Sequence, residues 1–484
     1  MNFSSFQFKH PIQKYKLLPA AVKAGLWFLI CNFIQKGIAV ITTPIFTRLL
    51  STSEYGRVSI LYSWADLMGI FITFGLSSAV YARGLVKSEQ NRSRYTSVMI
   101  GLSLVTTCIS FILFFAGKEL LFKHSSINMV YIVGIYLYVL FNTISDFWYQ
   151  QKRVDYDYIP FVKLTLLVLI TKPVLSILAI MLFPDIKVPA RIIPDIGISG
   201  VVAVVLLVVM IKKGKVLFDK IIWRESMIFV IPLIPHYISQ RVLSQSDRLM
   251  ISNMIGDSEA GIYSLAYSVG MLLMLLNSAM DSTVAPWAYK KIRDGEYQSV
   301  AKLCEKLLFI YGLSSLCFSF FVPEIIKIFA PNTYLEAINI VPIIALSSFF
   351  MFSYLQFVYF EYYSGKTQFV MIATGFCAVI NLVLNYVFIR KYGYVAAAYT
   401  TLICYILYAV GHYFIMRYLC KKYYKTQNPF NEGRLLLISF AISAAMAVCL
   451  VLYNINVVRI LIGVMVIVVT ILLSLSMLNG ILKD

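Results

Sequence analysis

This sequence has little charge. Only 13% of its 484 residues are Asp, Glu, Lys or Arg, about half the share of an ordinary soluble domain, so a water-facing surface cannot be assembled from it. Acidic residues are scarcer than basic ones, 23 against 42. Reactive and metal-binding residues are thinly spread too. The eight cysteines (Cys31, Cys108, Cys304, Cys317, Cys377, Cys404, Cys420 and Cys449) contain no CxxC pair and read as small buried apolar residues rather than disulfides or ligands. Four scattered histidines make no metal set. No Ser/His/Asp, phosphate-loop or metalloprotease pattern occurs, and the expected outer loops are short, which argues against a membrane polymerase or acyltransferase. No enzyme, cofactor or metal site is expected.

What is abundant is apolar sequence. Hydrophobic residues make up 60% of the chain, mean hydropathy is +0.79, and a single soluble core stops growing near roughly 250 to 300 residues. Lipid is the natural solvent. Apolar runs long enough to cross a hydrocarbon core as helix recur near 24–48, 58–82, 97–116, 127–149, 160–183, 196–211, 227–250, 260–288, 303–322, 337–360, 368–389, 394–416, 435–453 and 457–478. They are continuous, without the period-2 alternation of membrane strands. The expected fold is an all-α integral membrane protein with about fourteen transmembrane helices, in which the span at 196–211 is the shortest.

Basic residues are distributed unevenly between the two sides. With the N-terminus inside, 27 of the 42 Lys and Arg fall in inside segments and 11 in outside ones, so the positive-inside rule predicts that both termini are cytoplasmic. The same asymmetry accounts for much of the +19 net charge. Nucleic-acid binding is then an unnecessary inference, and membrane lipids are the expected partner of the basic loops.

An internal repeat divides the chain. Ser53 to Ser63 reads SEYGRVSILYS, and 205 residues later Ser258 to Ser268 reads SEAGIYSLAYS, with six of eleven positions identical. Six spans separate the copies, so orientation is preserved, and two parallel six-helix lobes around a central cavity are expected. The lobes are expected at 1–213 and 214–425, with an additional helix pair at 426–484.

The stretch KGIAVITTPIFTRLLSTSEYGRVSIL at Lys36 to Leu61 resembles the first helix and following loop of the polysaccharide biosynthesis, or Wzx-type flippase, family. The stretch IPLIPHYISQRVLSQSDRLMISNMIGDSEAGIYSLAYSVG at Ile231 to Gly270 is similar to the opening of that family's second lobe. The resemblance implies a two-lobed transporter that moves an undecaprenyl-pyrophosphate-linked oligosaccharide, an O-antigen, capsule or exopolysaccharide unit, from the cytoplasmic to the outer leaflet by alternating access. A multidrug or cation antiporter and a lipid II flippase of the same superfamily are the alternatives. A polysaccharide polymerase and glycosyltransferases are the implied protein partners.

Ionisable groups at membrane depth cost at least about 2.5 to 3.5 kcal/mol each, so each one asks for a partner or a wet cavity. Lys36 lies midway along the first span, on a stripe with Asn32, Thr43 and Thr47. Lys172 shares a face with Thr165 and Ser176 and precedes Pro173. Arg241 and Arg248 are seven residues apart with Ser244 and Gln245 between them. Such cations suit a dianionic head group; helix pairing by polar side chains is the plainer reading. Asp66, Asp146, Asp247, Asp281 and Glu361 are the candidates for coupling to H+ or Na+, against static ion pairs such as Asp66 with Lys36 or Asp247 with Arg248. Tyr405, Tyr408 and His412 share a face of the twelfth span, where a packed core is expected over sugar stacking.

Overall fold

The computed structural model describes residues 19–117, 128–366 and 368–481. The chain forms helices α1 (Ala20–Leu49), α2 (Thr52–Thr73), α3 (Ala79–Lys87), α4 (Arg92–Ala116), α5 (Met129–Val154), α6 (Tyr158–Leu182), α7 (Lys187–Gly214), α8 (Lys220–Val230), α9 (Ile234–Met254), α10 (Asp257–Gly270), α11 (Leu273–Arg293), α12 (Tyr297–Phe320), α13 (Val322–Phe329), α14 (Ala337–Tyr363), α15 (Gln368–Tyr392), α16 (Ala396–Lys422), α17 (Glu432–Val451) and α18 (Asn456–Ile481). Among the described residues there is no strand, and thirteen helical segments are long and apolar enough to cross a membrane. The all-α membrane fold expected from hydropathy is the fold observed.

Two expected spans differ in detail. The apolar run at 58–82 is not one helix: α2 stops at Thr73, Phe74 and Gly75 take left-handed backbone conformations, and α3 follows as a separate short helix. Left-handed φ ends a right-handed helix whatever the hydropathy of the side chains. The run at 196–211 is not short. Its helix α7 begins at Lys187 and is 28 residues long, because Arg191 and Asp195 are helical residues that hydropathy had assigned to a loop.

Polar residues set several helix starts by accepting backbone N–H groups that have no intrahelical partner. Asn128 accepts from Val130 N, Asp219 from Ile221 N and Ile222 N, and Asn431 from Arg434 N.

The chain divides into two compact units, residues 1–42 with 65–234, and residues 43–64 with 235–484. The first unit packs α4, α5, α6 and α7 around Tyr81, Tyr95, Met99, Phe147 and Ala203. The second packs α14 against α16, α10, α12 and α11, and α12 against α17 and α18. It takes in both the segment 43–64 and the last two helices.

Inside the second unit the two copies of the repeat meet each other. The Ser59 hydroxyl donates to Ser264 at 2.7 Å, and these are equivalent positions of the repeat. A β-carbon on Gly56 would lie 1.8 Å from the Asp257 carbonyl oxygen, and one on Gly261 2.1 Å from that of Thr52. Thr52 and Asp257 are also equivalent, so the contact is reciprocal and has local pseudo-two-fold character. Only glycine allows α2 and α10 to approach this closely. Thr52 with Ser258 at 2.7 Å and Arg57 with Asp257 at 2.9 Å complete the junction.

Candidate functional site

In the first unit, polar groups converge between α5, α6 and α7. Lys172 is residue fifteen of α6 and Asp195 residue nine of α7, so at 1.5 Å per residue both lie roughly 12 to 15 Å from the hairpin that joins the two helices. Equal depth lets them pair: Lys172 Nζ stands 2.8 Å from Asp195 Oδ1. Arg191, one turn before Asp195, reaches the other carboxylate oxygen at 3.8 Å and donates from Nη1 to the Ser176 hydroxyl at 3.1 Å. That hydroxyl donates in turn to the Arg191 carbonyl at 3.1 Å. The Lys172 ammonium lies over the Tyr138 ring at 5.7 Å. The charges of Asp195, Asp66, Arg191 and Asp146 all act on the Tyr138 hydroxyl, which places Asp66 and Asp146 in the same neighbourhood. Lys172 and Arg191 keep 20% and 16% of their side-chain surface.

Sequence reasoning found Lys172 but missed Arg191, Asp195 and Tyr138. The four charges between Asp185 and Asp195 lower the local hydropathy. The usable signal was helical spacing, since Arg191 and Asp195 are four residues apart. Lys36 lies exposed near the middle of α1.

In the second unit, Asp247 on α9 is 2% exposed and accepts three hydrogen bonds. Tyr263 and Thr401 donate to Oδ2 at 2.6 and 2.8 Å, and Asn385 Nδ2 donates to Oδ1 at 2.6 Å. Asn385 also donates to Asn381 Oδ1 at 3.1 Å and accepts from Thr400, while Ser246 donates to Asn381 at 3.2 Å. Hydrogen bonds to a buried carboxylate are worth about 1.5 to 3 kcal/mol each, so the network ties α9, α10, α15 and α16 together. Its α15 and α16 members could not be paired with Asp247 from sequence, because they lie more than 130 residues away.

Arg248, next to Asp247, has its own partners. Nη1 donates to Gln245 Oε1 at 2.6 Å and to the Ser244 carbonyl at 3.2 Å, and the guanidinium lies 4.4 Å from the Tyr267 ring centroid. Ser63 donates to the same Gln245 oxygen at 3.0 Å. Arg241 sits exposed two turns earlier on α9. Asp281 on α11 accepts from Tyr359 at 2.8 Å, and Glu361 is hydrogen-bonded to His412. Tyr405, Tyr408 and His412 are buried in the packed interior of the second unit. Among the described residues no group of three or more His, Cys, Asp or Glu could hold a metal ion.

Three comparisons bear on this arrangement. Residues 21–291 match the family described as polysaccharide biosynthesis protein, and residues 232–387 match the MatE family. An uncharacterized membrane protein of Methanocaldococcus jannaschii is 24% identical over 82% of this chain and 98% of its own length. One of Haemophilus influenzae is 24% identical over 75% of this chain and 88% of its own. Among solved structures, the lipid II flippase MurJ in an inward closed conformation superposes with a TM-score of 0.64 at 17% identity, covering 94% of this chain and 99% of that one. An inward-facing multidrug resistance MATE family transporter of the MOP superfamily gives 0.61 at 14% identity, over 83% and 99%.

Proposed function

Because the chain belongs to the polysaccharide biosynthesis protein family, within the multidrug/oligosaccharidyl-lipid/polysaccharide exporter superfamily, we propose that it is a bacterial inner-membrane flippase for a lipid-linked oligosaccharide. Its cargo is an undecaprenyl-diphosphate-linked unit of O-antigen, capsule or exopolysaccharide, carried from the cytoplasmic to the outer leaflet by alternating access. The observation that carries this reading is the pair of cations Lys172 and Arg191 on apolar membrane helices, both partly open and grouped about one carboxylate. Charge-assisted bonds from ammonium and guanidinium replace the water and counterions that a diphosphate leaves behind. Lys36, Arg241 and Arg248 are further head-group candidates, and the prenyl tail stays in lipid.

Coupling to an ion gradient is part of the proposal. Asp247 is the best built of the acidic candidates, with side-chain oxygens of Asn381, Asn385, Thr400 and Thr401 close by, a donor set suited to a hard cation or a proton. Polysaccharide polymerase and glycosyltransferases are the functional partners the reading implies.

The test is Lys172→Gln, which removes a charge and keeps size and polarity. Surface polysaccharide should be lost at unchanged protein abundance; normal polysaccharide would overturn the head-group role. Arg241→Lys should be only partly tolerated, since lysine keeps the charge but not the planar fork. The superposition on a lipid II flippase over 94% of the chain favours a second reading, in which the cargo is the peptidoglycan precursor. Rescue of a strain depleted of its lipid II flippase, without effect on surface polysaccharide, would select that reading.

A further inference from the structure

Away from the Asp247 network, Glu361 near the end of α14 and His412 in the middle of α16 form an acid-base pair with no exposed side-chain surface on either residue. Glu361 Oε1 and His412 Nδ1 are 2.6 Å apart. The other polar atom of each group, Glu361 Oε2 and His412 Nε2, is buried without a hydrogen-bond partner. Each unsatisfied buried polar group costs about 1 to 3 kcal/mol, and here two such atoms belong to one pair. The surrounding packing is aromatic: the His412 ring meets Tyr408 edge-on at 4.4 Å and Tyr354 at 5.5 Å.

Tyr362 on α14 and Tyr408 on α16 feel the Glu361 charge, the Tyr354 ring lies beside that of His412, and Lys366, just beyond α14, donates its backbone N–H to the Glu361 carbonyl at 3.1 Å. Tyr408 is hydrogen-bonded to Thr374 of α15 at 2.7 Å, and Tyr424, beyond α16, donates to the Phe360 carbonyl at 2.9 Å. Carboxylates on neighbouring helices are engaged elsewhere: Asp281 of α11 with Tyr359, and Glu305 of α12 with Asn431 N and Arg434. Among the described residues, His412 is the side chain hydrogen-bonded to the Glu361 carboxyl.

We propose that Glu361 and His412 form a proton-binding site, and that the proton it carries is a coupling ion for the transport reading above, on which this second half rests. With Nδ1–H donating to the carboxylate, the lone pair on Nε2 takes a proton from water on the side to which the unit opens. An N–H bond forms as an O–H bond of a hydronium ion breaks and leaves water, and imidazolium and carboxylate together are neutral. Losing that proton leaves one uncompensated negative charge in an apolar interior, which is costly. The buried pair is therefore the loaded, closed form, and release requires hydration of the site. The two groups titrate as a unit.

The experiment uses the full chain in lipid nanodiscs with His10, His124 and His236 replaced by Gln, so that His412 is the only histidine. Its labelled ring nitrogens should shift through one step as pH is lowered from about 9 to 5, and Glu361→Gln should move that step. Ring signals that stay unchanged over this range would overturn the site. For coupling, liposomes carrying the protein are given a fluorescent prenyl-diphosphate disaccharide with and without a pH gradient. Wild-type flipping should respond to the gradient, and Glu361→Gln/His412→Gln, which keeps a neutral hydrogen-bonded pair, should flip at one rate in both conditions. An unaltered gradient response in that double variant overturns the coupling role. A wild type that does not flip the probe at all, yet shows the histidine step, overturns the transport reading and leaves the proton site standing.

Discussion

At the scale of single residues, the junction of α2 and α10 is the least forgiving place in the second unit. Gly56→Ala or Gly261→Ala puts a methyl group within about 2 Å of a backbone carbonyl, and backbone, unlike a side-chain tip, cannot swing aside. Overpacking typically costs 1 to 3 kcal/mol. Each variant should lower the thermal unfolding midpoint in detergent, whereas Gly37→Ala on α1, with nothing within 4 Å of its added carbon, should not. Equal midpoints for all three would show that the helices are free to separate. The Lys172 cluster has the opposite character: two cations and an acid on two helices of equal depth, where charge rather than fit is the sensitive quantity.

At the scale of elements, the last helix is pinned by one side chain. Arg459 near the start of α18 is fully buried; it donates to Glu324 of α13 at 2.8 and 2.5 Å, to the Phe320 carbonyl at the end of α12, and to Asn456 at 3.3 Å. Removing either partner is not equivalent. Glu324 keeps 43% of its side-chain surface, so Arg459→Met leaves a carboxylate that can still be hydrated. Glu324→Gln leaves a guanidinium buried without its counter-charge, the more costly error. Glu324→Gln should therefore release α17 and α18 to limited proteolysis at 423–431 more readily than Arg459→Met, and the reverse order would contradict the geometry. The hydrogen bonds from Arg459 hold the Glu324 carboxyl below its ordinary range. A depressed folded value means the contribution is complete above the ordinary glutamate pKa and is lost as pH falls through the depressed one. Proteolysis at 423–431 should accordingly rise on acidification in the wild type and be insensitive to it in Glu324→Gln.

For the molecule as a whole, the expected topology has both termini inside. Single cysteines placed near Ser53 and Asp257 should react with an impermeant maleimide from outside, and those near Asn91 or Lys215 should not. Outside labelling at the latter two would invert the orientation drawn from the Lys and Arg bias. Arg57 and Asp257 lie at one junction, 2.9 Å apart, so residues 53 and 257 must label from the same side whichever orientation holds.

What the sequence by itself determined is what depends on one-dimensional properties. Charge scarcity and apolar runs of about twenty residues demand membrane helices, because lipid offers no partner for backbone polar groups. The repeated SEYG and SEAG segments identified a symmetric relation inside the chain, and the two stretches at Lys36 to Leu61 and Ile231 to Gly270 identified the family that the match over residues 21–291 bears out. Tertiary structure decided everything that depends on which distant residues meet. Hydropathy reads Arg191 and Asp195 as loop charges, and only their packing beside Lys172 makes them interior. Asp247 looked like the natural partner of Arg248, but three donors from α10, α15 and α16 claim its oxygens. Glu361 and His412 are 51 residues apart and carry no motif. A buried ionisable group is stable only with its partners assembled, and those partners are set by helix packing, which hydropathy and spacing do not encode.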